Sequence, residues 1–191
     1  MNEQHPFAAI PTSDAAAHGA ATPAAQAADR ARAQETRMIA PPRTYAQWAA
    51  LLTTFAAGTA DEEAVHAMRA GTLVWQSGVA ERFTQRLLDA LNTRIQKDGD
   101  TFSRDLARAS AEQDTIAALL AQRRRFRTLY AAADLPALPA ATRKETIAAV
   151  QTAADRTQES LEASAKTDRT GRMSALVRSH RVNVLETEAF S

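Results

Sequence analysis

The sequence predicts an all-α fold: a long antiparallel helical hairpin with two short N-terminal helices, forming a three- to five-helix bundle behind a disordered tail. Three observations carry this. Between Gly78 and Gly171 the only glycine is Gly99 and the only prolines are Pro136 and Pro139. Apolar residues recur there every three or four positions, the spacing that gathers them on one side of a helix. The 45% apolar fraction is rich in alanine and only 5% of the chain is aromatic, so helix contacts should be close and the core thin.

Residues 1–42 read as a disordered Ala/Pro-rich segment. The first 40 residues hold 14 alanines, with Pro6, Pro11 and Pro23 and few large apolar groups. Such a stretch buries too little to offset its ordering entropy. Pro41 and Pro42 close it, because the residue before a proline is pushed out of the helical region. A helical domain is expected over 43–185, followed by a loose C-terminus over 186–191.

Thr44 is placed to cap a helix with the face Tyr45, Trp48, Leu51, Leu52 and Phe55, ended by Gly58. Thr59 and Glu62 have capping-box spacing, which predicts a second short helix carrying Ala64, Val65 and Met68. Thr72 to Trp75 is strand-like in composition but has no partner strand, so it should plug the end of the bundle. Trp48, Phe55, Trp75 and Phe83 should tie the short helices onto the hairpin.

From Val79 the face Phe83, Leu87, Leu88, Leu91 and Ile95 is helical. Gly99 costs a helix only about 1 kcal/mol against alanine, and Phe102, Leu106 and Ala109 resume the spacing. A continuous or kinked rod is therefore expected through Gln113, Ile116, Leu119, Leu120, Phe126, Leu129 and Tyr130 to Leu135 and Pro136. The stiff turn to Pro139 should return the next helix antiparallel, with Thr142 and Glu145 as its capping box. Ile147, Val150, Ala154 and Leu161 form a seam at heptad spacing, usable within the chain or between chains as a coiled coil. Folding back about the turn should set Ile147 near Phe126 and Ala154 near Leu120. Gly171 suits a helix C-cap, and Met173, Leu176 and Val177 suggest one more short helix.

Charge nearly cancels, 23 basic against 22 acidic residues, so no global field steers the molecule to nucleic acid or an anionic membrane. The chain has no cysteine, which excludes disulfides and thiolate chemistry and suits a cytoplasmic location. No run reaches the roughly 20 apolar residues of a spanning helix, and the N-terminus lacks a signal-peptide pattern.

Three clusters are candidates for chemistry. Glu63 and His66 have the Glu-x-x-His spacing of di-iron bundles, but no second such pair accompanies them, so no metal is expected. Arg123, Arg124, Arg125 and Arg127, around Phe126, are a candidate partner site for nucleic-acid phosphates or an acidic protein surface. Three successive helical positions span about 200°, so these arginines diverge, and pairing with Glu145 or Asp155 on the returning helix is the structural reading. Arg169 and Arg172 flank Gly171, a second candidate where backbone amides could meet an anion. Ser160 and Ser164, beside Glu159, Glu162 and Asp168, lack an oriented base and read as a solvated face.

No nucleotide loop, ligand cluster or activated nucleophile appears, so neither enzymatic activity nor a cofactor is expected. The leading functional expectation is a helical interaction protein: an adaptor, a chaperone-like factor or a structural component of an assembly, with a protein partner or itself. A nucleic-acid-associated regulator is the first alternative. Cargo of a specialised secretion route, addressed by the N-terminal segment, is the second.

Overall fold

A computed structural model describes residues 39–59, 61–75 and 78–183. The chain divides into two units, Met1–Arg37 and Met38–Ser191, and all described residues belong to the second. The expected N-terminal tail and the end of the chain lie outside the described residues. Among those residues the regular structure is six helices and no strand: α1 (Tyr45–Ala57), α2 (Asp61–Arg69), α3 (Val79–Arg108), α4 (Glu112–Ala133), α5 (Ala140–Ala165) and α6 (Arg172–Ser179).

The framework is α3, α4 and α5. The Thr84 and Thr142 hydroxyls lie 2.9 Å apart near the starts of α3 and α5, while the ends of the same two helices flank one groove. These helices are therefore parallel, and α4 runs back between them. At the α4–α5 turn, Thr146 Oγ1 donates to the Ala133 carbonyl at 2.8 Å, which closes the antiparallel return. Proline imposes the stop: Leu135 is buried, and Pro139 occupies the N-cap of α5.

Helix α1 lies parallel to α3, with Trp48 against Phe83 at one end and the Phe55 carbonyl on Arg94 at the other. Helix α2 packs against α1 and α4, so the two short helices cover the α3–α4 side of the bundle. Thr44 accepts from the Gln47 amide and the Gln47 side chain accepts from the Thr44 amide, a complete capping box. Gly58 ends α1 in the left-handed region, at φ 70°. The packed region takes in Ile39 and Pro42, ahead of the start expected at Arg43.

The aromatic residues do what their size demands. Trp48, Phe55 and Phe83 are fully buried, and both tryptophans meet the Phe83 ring edge-on with centroids 5.3 and 5.2 Å away. Each indole N–H finds a carbonyl: Trp48 donates to Thr72 at 3.1 Å and Trp75 to Ala137 at 2.9 Å. Residues 72–75 thus seal the bundle end without forming a strand, as their isolation predicted. Gly71 is required by close approach, since a Cβ there would stand 2.6 Å from the Trp48 ring.

Several local expectations are corrected. The rod does pass through Gly99 without a break, but it ends at Arg108 and restarts at Glu112. The Asp114 carboxylate accepts from the Ser110 and Ala111 amides, at 3.1 Å each, and this cap outcompetes three more residues of helix. Thr59 does not cap α2; its hydroxyl donates backwards to the Thr54 carbonyl, and α2 begins at Asp61. Thr142 is not a cap either, because α5 begins two residues earlier and the buried Thr142 hydroxyl meets Thr84. Gly171 does not end α5 but opens α6 as its N-cap, at φ 69°. Leu120 is exposed and does not cover Ala154, because the buried stripe of α4 runs through Thr115, Ala118, Leu119, Gln122 and Phe126. Polar Thr115 and Gln122 lie on that inner face, and they hid its true direction from an apolar count.

Candidate functional site

Two polar features stand out from the alanine packing, and they differ in kind. The first is closed. Along α3 the inward stripe Phe83, Leu87, Leu91 continues through Arg94, Asp98 and Phe102, and Arg94 and Asp98 are each only 5% exposed. Arg94 grips Asp61 with both terminal nitrogens, donates from Nε to Asp98 at 2.9 Å and from Nη1 to the Phe55 carbonyl at 3.1 Å. Its guanidinium also lies 5.6 Å from the Phe55 ring centroid. One side chain therefore joins the end of α1, the start of α2 and the middle of α3. Beside it, Lys97 donates to the Ala57 carbonyl at the α1 terminus, where cations are favoured.

The two carboxylates respond oppositely to this one arginine. The bidentate bond from Arg94 holds the Asp61 carboxyl below the usual range, against an opposing effect of burial. Asp98 is pushed up, because burial outweighs its single bond from Arg94, and among the described residues its buried Oδ2 has no bonding partner. Arg94 itself is held yet more firmly in its charged form, chiefly by the bond to Asp61. A cluster so enclosed and so matched sets the register of three helices.

The second feature is open. A groove of about 920 Å³ runs between the C-terminal halves of α3 and α5 and is closed at one end by α6. Phe102, Leu106, Leu161, Met173 and Leu176 supply its apolar surface. Gly99, Ser103, Ser160 and Ser164 leave the space, since four small residues face each other where large ones would have met. Arg156 and Arg172, both exposed, stand on its rim with Glu112. The groove lining contains hydroxyls, charges and apolar carbon, and no histidine.

Residues singled out in the sequence are distributed unevenly around these features. Of the seam, Val150, Ala154 and Leu161 are buried within the single chain, and Ile147 is partly buried beside them. Leu161 alone of the four lines the groove. The arginine cluster is divided. Arg125 donates to Asp105 at 3.2 Å and to Gln122 at 3.1 Å, so its partner lies on the preceding helix α3 and not on α5. Asp155 is bonded by Asn183 instead. Arg124 and Arg127 are exposed, and Arg123 is half-buried.

At the second basic region, Arg169 and Arg172 are exposed, but the amides around Gly171 are taken. Asp168 accepts from the Thr170 and Met173 amides, each at 3.0 Å, and the Thr170 hydroxyl accepts from the Arg172 amide. These bonds, from Met173 first, hold the Asp168 carboxyl below the usual range. The Asp168 carboxylate thus takes the amides that an external anion would need. Glu63 and His66 are exposed on α2, and among the described residues no three potential ligands gather for a metal ion.

Sequence reasoning missed Arg94 and Asp98, although their signal was present: they extend the three-and-four spacing of Phe83, Leu87 and Leu91 with an i, i+4 ion pair. It also placed Ser160 and Ser164 on a solvated face without seeing that α3 and α6 make that face a groove. Compared with known protein families, curated proteins and solved structures, the chain matches none of them.

Proposed function

We propose that this protein is a non-enzymatic interaction module that takes one amphipathic helix of a protein partner into the α3–α5–α6 groove. The observation that supports the reading is the groove itself: parallel α3 and α5, bounded by α6, leave Leu106, Met173 and Leu176 partly exposed beside buried Phe102 and Leu161, with no further helix among the described residues laid over them. Helices α1 and α2 lie packed on α3 and α4, so a helix laid along α3 and α5 would extend the same architecture. The partner's apolar stripe would meet Leu106, Met173 and Leu176. Acidic side chains beside that stripe would face Arg156 and Arg172.

The test is titration of the full chain with a helical peptide bearing leucine at i, i+3, i+4 and i+7 and glutamate along its flank. Met173 is half-exposed, so Met173→Glu should leave the helical circular dichroism unchanged while weakening binding about tenfold or more, through loss of one apolar contact. Absence of saturable binding, or equal binding by the variant, overturns the reading. Light scattering across protein concentration distinguishes a second outcome, in which the groove receives another copy of the chain.

A further inference from the structure

One helix face belongs neither to the core nor to the groove. At about 100° per residue, Gln113, Ile116, Ala117, Arg124 and Arg127 all fall within about 60° of Leu120 on α4. Ile116 is half-buried and the other four are exposed; Leu120, at 41%, is one of two exposed large hydrophobic residues among those described. Helices α2, α3 and α5 pack on other sides of α4, and among the described residues this face stays open. It is polarised along its length. Exposed Glu112 stands at its N-terminal end, Ile116, Ala117 and Leu120 make an apolar middle, and Arg124 and Arg127 make a basic C-terminal end.

We propose that two copies of the chain pair through this face, α4 against α4 in antiparallel, about a two-fold axis at Leu120. The argument is self-complementarity, which an isologous contact requires. Glu112, about 12 Å before the axis, comes level with Arg127 of the second copy, about 10.5 Å beyond it. Glu112 and Arg127 lie on the same flank of Leu120, and a two-fold rotation sets like flanks against each other, so this pair forms twice. At the axis Leu120 meets Leu120, and the aliphatic stem of Arg124 lies over Ile116 and Ala117 of the second copy. A parallel pairing would instead set Arg124 on Arg124 and Arg127 on Arg127, like charges that repel. A helix of another protein would need this same order of acid, apolar middle and base, reversed in direction; an antiparallel second copy supplies it.

The chain has no cysteine, so a single substitution reports contact between copies cleanly. In the full chain, Leu120→Cys should oxidise to a linked dimer about tenfold faster than Ala148→Cys, an exposed position on α5, because a residue on the axis meets itself. Adding Glu112→Arg should slow the Leu120→Cys reaction about fivefold, and adding Arg127→Glu to that chain should restore it. Without cysteine, light scattering should show a dimer that Leu120→Glu abolishes and Met173→Glu does not, with the helical circular dichroism of both variants unchanged. Equal oxidation rates at positions 120 and 148, or a monomer at every concentration, overturn the pairing. Indifference to both charge changes overturns the antiparallel register. A dimer lost in Met173→Glu but kept in Leu120→Glu overturns it too, and assigns self-association to the groove.

Discussion

The two ends of the framework were built from the same apolar periodicity and came out differently. Around the first half of α3, the large side chains Trp48, Phe55, Met68, Phe83 and Leu87 are all fully buried, and Arg94 locks three helices together. Around its second half, Gly99 and Ser103 face Ser160 and Ser164, and the space between stays open. Spacing decided which way each residue points; volume decided whether the helices met tightly or left a groove. The end with large side chains is closed and carries the tight packing, and the end with small ones holds the groove to which the proposed recognition is assigned.

The sharpest way to break this contrast is Arg94→Ala. It leaves Asp98 buried without its cation and frees the α1–α2 junction, and a loss of about 3 to 5 kcal/mol is expected by denaturant unfolding. Ser160→Ala with Ser164→Ala, at the open end, should change stability by no more than about 0.5 kcal/mol. A similar loss from both would show that the groove is as tightly integrated as the junction.

A smaller effect is expected from Gly71→Ala. The added methyl meets the Trp48 ring at 2.6 Å, and displacement of a packed indole should cost about 1 to 3 kcal/mol, read as a lowered Tm and altered tryptophan fluorescence.

The smallest effect sharpens the electrostatic half of the comparison. Asp61 has a lowered native pKa, so its contribution is present above its unfolded value near 3.8 and is lost as pH falls through its native value. Asp98 has a raised one, so its ionisation opposes folding as pH climbs from 3.8 through its native value. Asp98→Asn should remove the decline of stability over that second window and leave the acid limb in place. Unfolding midpoints measured across pH 3 to 7 check this, and an unaltered slope above 3.8 would rule out the assignment to Asp98.

Much of the closed end was legible in the sequence. Trp48, Leu51, Leu52 and Phe55 announced α1, and Thr44 and Gly58 gave its bounds, because caps and periodicity are local properties of neighbouring residues. Caps that depend on competition were not legible. Thr59 and Thr142 had cap-like spacing, yet each hydroxyl found a different partner, and Asp114 ended a helix that periodicity alone would have continued. The groove was legible only in pieces. Ser160, Ser164, Asp168 and Arg172 could be named, but nothing within α5 or α6 says that Phe102 and Leu106 lie opposite them.

By itself, the sequence determined an all-helical fold and the antiparallel return at Pro136 and Pro139, since each follows from backbone preference and the period of apolar residues. The tertiary structure alone decided that Arg94 would reach Asp61 as well as Asp98, and that the small residues of α3 and α5 would face one another. These outcomes depend on residues tens of positions apart, brought together by packing, and a periodic pattern records which face is buried but not what it is buried against.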